Sequence, residues 1–245
     1  GLKRLEYRGY DSAGIAIYNG STIASCKSKG KISKLEKLLD KRKNMSGGIG
    51  IGHTRWATHG EPNDINAHPQ FSNSKKLCLV HNGIIENYST IKLKLIKEGF
   101  SFSSETDTEV LVNLIEFVKN KNDVKLGEAV QIALNQVIGA YAIAVIDDDK
   151  PDEIVVAKLG SPLCIGIGED EHFIGSDVTP FIEYTKDVVY LEDGELAIIR
   201  NHKETFFRKI DDDSSISPTV SKLELSLDKI EKQGYDHYML KEIYE

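Results

Sequence analysis

A run of short β-rich segments with almost no helix between them most constrains how this chain can fold. The segments begin after Gly139, follow one another at close spacing, and are interrupted only by one short helical stretch around residues 178–184. Consecutive strands that lack a crossover helix pair antiparallel. The predicted strands are residues 141–146, 153–157, 163–167, 172–175, 188–191, 196–200 and 205–209. The second half of the chain therefore predicts antiparallel sheets.

The first half adds a hairpin and helices. Residues 14–18 and 21–26 are β-rich and are joined through Asn19-Gly20, a pair typical of a type I′ turn. Apolar residues at helical spacing predict helices over residues 32–43, 88–98, 106–119 and 126–138. Ser33 is the expected N-cap of the first helix, with Glu36 completing a capping box. Together with the later strands, this pattern predicts an α+β fold.

Two further strands flank a long irregular stretch. Residues 48–52 predict a glycine-rich strand, and residues 76–81 predict a strand with Asn82-Gly83 as its turn. Residues 53–70 have little apolar periodicity and are expected to form an ordered loop. Loops longer than about 12–15 residues inside compact domains are usually functional. We therefore expect this stretch to carry part of a site.

Charge and cysteine content exclude several classes of protein. The chain has 245 residues, with 31 Lys and Arg against 38 Asp and Glu, and its net charge is −7. An acidic balance argues against nucleic acid or an anionic membrane as the main partner. Cys26, Cys78 and Cys164 are scattered and form no CxxC motif, so neither a disulfide framework nor a cysteine zinc site is expected. No signal peptide or membrane-spanning run is visible, and we expect a cytoplasmic protein.

Both ends of the chain resemble interrupted helices. Leu2 and Leu5 lie at helical spacing, and residues 235–245 are amphipathic without a terminating Gly or Pro. Residues 211–218 are charged and Ser-rich, which is typical of a linker. We expect a fragment of a longer polypeptide, with one domain over residues 1–212 and a linker with a helical tail over residues 213–245.

Polar residues that can do chemistry are concentrated between residues 53 and 108, and three interpretations of them compete. The first is structural: His53 and His81 are buried core histidines, Trp56 fills a core position, and Asp107 is an acid favoured at a helix N-terminus. The second is a metal site, although no HExxH-type spacing occurs. Its candidate ligands are His53, His59, His68, His81 and Asp107.

The third interpretation is recognition of a small zwitterion. An arginine such as Arg55 binds a carboxylate through two parallel hydrogen bonds. Asp107 can hold an ammonium group, and Asn82 with the Gly83 N–H can form an oxyanion hole. These groups suffice to hold an α-amino acid and polarise a carbonyl on its side chain. No nucleophile is evident, because the three cysteines lie in apolar runs that are typical of small core residues.

Several ungapped motifs carry a resemblance to a known family. The chain resembles the glutaminase domain of the glucosamine-6-phosphate synthases, the glutamine–fructose-6-phosphate aminotransferases (isomerizing). The matching motifs are RLEYRGYDSAG (4–14), GHTRWATHGEP (52–62), NAHP (66–69), VHNGIIEN (80–87), SETDTEV (104–110), GAY (139–141), GSPL (160–163) and the tail HYMLKEIYE (237–245).

The resemblance implies an N-terminal-nucleophile hydrolase fold, an αββα sandwich of two antiparallel sheets covered by helices. It also implies that the whole enzyme releases ammonia from L-glutamine and passes it to fructose 6-phosphate, without metal or cofactor. The implied partners are the protein's own sugar-isomerase domain and further copies in a homo-oligomer. Another class-II amidotransferase with a different acceptor, or a non-catalytic amino-acid-binding module, remains an alternative.

By the matched motif positions, the resemblance implies a role for each site residue. Arg55 holds the glutamine α-carboxylate and Asp107 its α-ammonium, while Asn82 and Gly83 form the oxyanion hole. The loop that closes over glutamine includes Thr58 and His59. The resemblance also implies that Trp56 gates the path of ammonia and that Arg8 helps to position the oxyanion-hole asparagine.

The family's nucleophile, an N-terminal cysteine activated by its own amine, does not occur in this chain. We therefore expect the 245-residue chain to bind glutamine but not to hydrolyse it. The family's first strand is also expected to be missing, which should leave an unpaired position beside the strand at residues 14–18 unless another segment or chain fills it.

Overall fold

The computed structural model describes residues 1–200 and 205–223. After a short 3-10 helix (Leu2–Arg8), four α-helices and fourteen strands are formed in this part of the chain. The helices are α1 (Ile32–Leu39), α2 (Tyr88–Lys97), α3 (Asp107–Asn122) and α4 (Leu126–Leu134). The strands are β1 (Ser12–Tyr18), β2 (Ile23–Lys29), β3 (Ile49–Arg55), β4 (Gln70–Phe71), β5 (Leu77–Ile85), β6 (Gly139–Asp147), β7 (Lys150–Leu159), β8 (Cys164–Ile167), β9 (His172–Gly175), β10 (Asp187–Tyr190), β11 (Glu195–Arg200), β12 (Phe206–Lys209), β13 (Ser215–Ile216) and β14 (Ser221–Lys222).

All neighbouring strands pair antiparallel, as the run of strands without crossover helices predicts. The largest sheet has the order β13-β12-β11-β7-β6-β5-β4. A second sheet has the order β2-β1-β3, and a third the order β14-β10-β8-β9. The described strands therefore form one seven-stranded sheet and two smaller ones.

The alternation of side chains along the strands builds the layers. On β5 and β6, Leu79 and Ile143 face a core shared with α2, α3 and α4, whereas Val80 and Ala144 face the opposite core. That second core also contains Ile51 of the three-stranded sheet. Ile165 of the four-stranded sheet lies in it too, so both smaller sheets cover the same face of the large one.

Helix α1 covers the outer side of the three-stranded sheet. Ile32 and Leu35 of this helix pack with Ala13 of β1 and Cys26 of β2 in a separate small core. The order of layers is therefore helix, small sheets, large sheet, helices. This αββα arrangement confirms the fold class.

Local differences from the sequence expectation have identifiable causes. The hairpin between β1 and β2 forms, but its connection is four residues long rather than a two-residue type I′ turn. The Asn19 side chain accepts hydrogen bonds from the backbone N–H groups of Ser21 and Thr22, which closes the longer loop. The expected Ser33 cap is wrong, because α1 begins at Ile32 with Lys31 at the N-cap.

The strands around the polar stretch are longer than expected. Strand β3 continues to Arg55, so the irregular loop begins at Trp56. The stretch around residues 178–184 forms turns rather than a regular helix. Strand β1 is paired on both sides, by β2 and β3, so no unpaired position remains beside it.

The end of the chain is described only in part. Ser215–Ile216 pairs with β12 and Ser221–Lys222 pairs with β10, so two short strands lie in the expected linker region. The predicted helical tail lies outside the described residues. Within residues 1–200 and 205–223, no helix is long and apolar enough to cross a membrane.

Candidate functional site

A cavity of about 840 Å³ lies where the two smaller sheets and the seven-stranded sheet meet. Its walls include Gly50 to Arg55 of β3, three residues of β9 (His172, Ile174 and Gly175), and residues of β5 and β6. Of the residues that the sequence singles out, the cavity is lined by Arg8, Arg55, Trp56, Thr58, Asn82, Gly83 and Asp107. The structure thus brings residues from distant parts of the chain to one place.

Arg55 is the last residue of β3 and is only 2% exposed. Its Nη2 donates hydrogen bonds to the carbonyl oxygens of His59 at 2.6 Å and Gly60 at 2.8 Å. Its Nη1 lies 3.5 Å from Asp11 Oδ1 but has no hydrogen-bond partner among the described residues. A buried guanidinium with unused donors is an unfavourable state unless an acceptor binds there.

The loop after Arg55 forms one side of the cavity mouth. Trp56 is 69% exposed, so its structural interpretation as a core residue is wrong. Its ring covers Gly9, where a Cβ atom would lie only 2.7 Å from Trp56 Cζ3. Thr58 is exposed, and the His59 ring packs edge-on against Tyr88 with 4.7 Å between centroids.

Asp107 is held at the start of α3 by local helix chemistry. Thr106 is the N-cap, and its side chain accepts a hydrogen bond from the Glu109 backbone N–H. Asp107 Oδ2 accepts a hydrogen bond from the Ile85 backbone N–H at 2.9 Å and lies 3.9 Å from His59 Nδ1. The carboxylate is 3% exposed and faces the same cavity as Arg55.

Asn82 and Gly83 do not form a turn, contrary to the sequence expectation. Strand β5 continues through them to Ile85, and they pair with Ala142 and Tyr141 of β6. A turn there would remove the ladder hydrogen bonds to β6, so the strand continues instead.

The backbone N–H of Gly83 lies on the free edge of β5. N–H groups of alternate residues point to the same side of a strand. The Ile85 N–H points away from β6, to Asp107, so the Gly83 N–H two residues earlier points to that side as well. Strand β4 on this side pairs only with Cys78 and Leu79. The site therefore offers a backbone N–H beside the Asn82 side chain.

Three histidines that also line the cavity have polar partners within the protein. His53 Nε2 lies 2.8 Å from Asn82 Oδ1, and His68 Nε2 lies 2.7 Å from Thr108 Oγ1. His81 Nδ1 lies 3.1 Å from the same hydroxyl. Burial lowers the pKa of His53 to about 4 and also lowers the pKa values of His68 and His81.

This arrangement supports the structural interpretation of His81, which is buried, whereas His53 is only partly buried. Among the described residues, no group of three or more His, Cys, Asp or Glu side chains is placed to hold a metal ion. Sequence reasoning gave no role to Thr108. Its position directly after Asp107, on the first turn of α3, is the signal that could have found it.

The guanidinium of Arg8 is directed to another part of the wall. It donates hydrogen bonds to Ser176 Oγ at 2.8 Å and Tyr7 Oη at 3.2 Å, and it pairs with Asp177. None of the hydrogen bonds that Arg8 makes within the described chain reaches Asn82. The structure thus places His53, not Arg8, against the asparagine.

The three cysteines are unsuited to act as nucleophiles. Cys26, Cys78 and Cys164 are at most 1% exposed. Burial raises the pKa of all three thiols, that of Cys164 to about 12. Because the thiolate is the reactive form, such groups are inert at neutral pH.

Comparisons with curated proteins give close relatives over the whole chain. It is 58% identical to a glutamine–fructose-6-phosphate aminotransferase (isomerizing) of Bacteroides thetaiotaomicron and 51% identical to one of Chlorobaculum tepidum. A third, from Thermococcus kodakarensis, is 50% identical. Each match covers 100% of this chain, and the chain spans 40% of the length of each relative.

Solved structures share the fold. A glutamine phosphoribosylpyrophosphate amidotransferase of B. subtilis matches with a TM-score of 0.72 and 28% identity, over 86% of this chain and 45% of that one. A glutamine aminotransferase class-II domain protein of Silicibacter pomeroyi matches with a TM-score of 0.58 and 15% identity, over 82% of this chain and 91% of that one. The N-terminal-nucleophile hydrolase fold that the motifs imply is confirmed.

The family itself is also identified directly from the sequence. The glutamine amidotransferase domain family matches residues 40–235, which include Arg55, Asn82, Gly83 and Asp107. The resemblance drawn from the motifs is thereby confirmed. This chain belongs to the glutamine amidotransferase domain family.

Proposed function

We propose that this domain binds L-glutamine by its two α-substituents and polarises its side-chain amide. The observation that carries the proposal is the buried Arg55, which lines the cavity and whose Nη1 has no hydrogen-bond partner in the described chain. A ligand carboxylate would supply the missing acceptor. Hydrogen bonds to charged groups contribute about 1.5–3 kcal/mol each, so this single contact is worth much of a small ligand's affinity.

The opposite charge of the ligand is matched by Asp107. This carboxylate is buried and hydrogen-bonded at one oxygen to Ile85, and it faces the cavity that Arg55 also lines. A cation and an anion in one small cavity favour a zwitterion over a simple acid or amine. Thr58 and His59 would belong to the loop that closes over glutamine.

Asn82 and Gly83 would form the oxyanion hole. An asparagine amide and the free Gly83 N–H lie on neighbouring positions of β5, the two kinds of donor that stabilise the charge on a tetrahedral intermediate. Trp56, exposed at the cavity mouth, would gate the path of released ammonia. Arg8 is the less supported member of the site, because its hydrogen bonds go to Ser176 and Tyr7.

The nucleophile would come from a part of the longer protein outside these 245 residues. The cysteines of this chain are buried with raised pKa values, and the resemblance implies an N-terminal cysteine activated by its own amine. We propose that the 245-residue chain binds glutamine without hydrolysing it, and that the longer protein does both.

The longer protein would use the ammonia to convert fructose 6-phosphate to glucosamine 6-phosphate. The support is that relatives at 50–58% identity carry the name glutamine–fructose-6-phosphate aminotransferase (isomerizing), while this chain spans 40% of their length. Residues 1–212 would form the amidotransferase domain, and residues 213–245 would lead into a sugar-isomerase domain. A cytoplasmic homo-oligomer that needs no metal or cofactor fits this activity.

Another class-II amidotransferase with a different acceptor is the second candidate, favoured by the structural match to a phosphoribosylpyrophosphate amidotransferase. The test gives the full-length protein glutamine labelled with ¹⁵N at the amide, with either fructose 6-phosphate or phosphoribosylpyrophosphate. We expect labelled glucosamine 6-phosphate in the first mixture only. Labelled phosphoribosylamine would support the second candidate, and no glutamate in either would leave a non-catalytic binding module.

A further inference from the structure

The two β layers of the fold are joined at the site by a contact between His53 and Asn82. His53 lies on β3 of the three-stranded sheet, and Asn82 lies on β5 of the seven-stranded sheet. His53 Nε2 and Asn82 Oδ1 are 2.8 Å apart. Both residues line the cavity that Arg55 and Asp107 also line.

The chemistry of the two groups fixes the direction of this hydrogen bond. A side-chain carbonyl oxygen only accepts, so the ring nitrogen that faces it must carry the proton. Burial lowers the pKa of His53 to about 4, so the neutral ring has a single N–H, and Asn82 takes it. Because Oδ1 faces the histidine, the amide nitrogen of Asn82 and its two N–H groups point away from the histidine.

The His53 ring is itself held in place by a neighbour. The rings of His53 and His68 lie edge to face with 4.6 Å between centroids. His68 Nε2 is hydrogen-bonded to Thr108 Oγ1, and Thr108 follows Asp107 on the first turn of α3. One turn of α3 therefore carries the candidate ammonium ligand and also supports, through His68 and His53, the candidate oxyanion donor.

We propose that His53 is a positioning residue of the glutaminase site: it holds the Asn82 amide with its N–H groups toward the carbonyl that is to be attacked. This inference rests on the proposed function and deepens it. Arg8, to which the motif resemblance gives this role, hydrogen-bonds to Ser176 and Tyr7 instead. Without the His53 donor the amide can rotate, and its oxygen can then face the developing negative charge.

The test compares two substitutions in the full-length protein that differ by one methylene. In His53→Gln the side-chain amide nitrogen reaches the position of ring Nε2, whereas in His53→Asn it reaches only that of Nδ1. We expect the kcat for glutamine hydrolysis by His53→Gln to stay within about threefold of the parent's. His53→Asn should lose about 10- to 100-fold in kcat, less than the 10²–10³ that removal of an oxyanion donor costs, with KM for glutamine nearly unchanged.

Two further measurements separate positioning from a merely structural role. In an Asn82→Ala background, His53→Asn should lower kcat by less than twofold, because the group that it positions is already gone. The control Arg208→Lys alters an exposed ion pair with Asp213, away from the cavity, and should leave kcat unchanged.

The outcomes are distinguishable. A parent protein that releases no glutamate from glutamine would remove the proposed function and this inference with it. If the parent is active, three results would overturn this inference alone. They are an equal loss of kcat in His53→Gln and His53→Asn, no loss of kcat in His53→Asn, and a loss in the Asn82→Ala background as large as in the parent.

Discussion

Arg55 donates a hydrogen bond from Nη2 to the carbonyl oxygen of Gly60 at 2.8 Å, so one buried guanidinium both faces the cavity and fixes the loop that follows it. The two roles use different nitrogens, since Nη1 remains without a hydrogen-bond partner in the described chain. The cavity wall and the loop conformation are therefore connected through a single side chain.

Replacing Arg55 by Lys should weaken glutamine binding although the charge is kept. Lys cannot offer two parallel donors, and its single ammonium cannot also hold the His59 and Gly60 carbonyls. Loss of about 1.5–3 kcal/mol corresponds to a Kd about 10- to 150-fold higher, measured by calorimetry with the 245-residue chain. Arg208→Lys, at an exposed ion pair with Asp213, is the matched control and should leave Kd unchanged. Equal affinities for Arg55→Lys and the parent would contradict the assignment.

Replacing Gly83 by Ala should destabilise the fold rather than alter binding alone. Gly83 has a φ of 129°, and a Cβ atom there would lie 2.0 Å from the Ala140 carbonyl oxygen of the paired strand. Gly20→Ala is the control, because Gly20 has a φ of 94° with nothing within 4 Å of a Cβ atom. Thermal unfolding should show a cost of about 1 kcal/mol for Gly20→Ala and a clearly larger one for Gly83→Ala. Equal shifts in Tm would show that the close approach to β6 is unimportant.

The buried histidines should make the domain less stable as the pH falls from 7 to 5.5. Their pKa values are lowered in the folded state, that of His53 to about 4, so the unfolded chain binds more protons in this range. The free energy of unfolding should decrease by about 1 kcal/mol for each histidine that stays neutral. Urea unfolding at several pH values measures this slope. His68→Gln should make it shallower, and replacement of the half-buried His172 should change it less; a flat profile for the parent would rule the explanation out.

The cysteines of this chain should not react with a glutamine-mimicking electrophile. All three are buried and their pKa values are raised, so almost no thiolate is present at neutral pH. Incubation of the 245-residue chain with a diazo-ketone analogue of glutamine should add no mass to any tryptic peptide containing Cys26, Cys78 or Cys164. Urea-unfolded chain, treated with a simple thiol reagent, is the control that shows the peptides can be detected. Labelling of the folded chain, or ammonia release by it, would mean that the nucleophile lies within these residues.

Local sequence signals determined much of the fold correctly. The strand run after Gly139 indicated the antiparallel sheets, because strand order without crossover helices leaves little other choice. Helix α3 could be placed because apolar residues repeat along it at helical spacing. The combination of Arg55, Asp107 and Asn82-Gly83 suggested a zwitterion site because each side chain offers a distinct and complementary chemistry.

What the sequence could not determine depends on partners that are distant along the chain. Asn-Gly is a turn signal in isolation, yet Asn82 and Gly83 continue a strand because β6 supplies ladder partners that a turn would lose. The environment of Trp56 was likewise decided by Gly9, almost fifty residues away, which leaves room for the ring on the surface.

The same reason explains why the sequence could predict the residues of the site but not their arrangement. Side-chain type alone suggested Arg55 as a carboxylate ligand, but the register of β3 with β1 and the packing of the two β layers decided that His53 meets Asn82 while Arg8 meets Ser176. A hydrogen bond between residues 29 positions apart has no local sequence signature, because it forms only when two separate sheets pack face to face. The sequence by itself determined which chemistry this domain carries; the tertiary structure decided which groups are held against each other to use it.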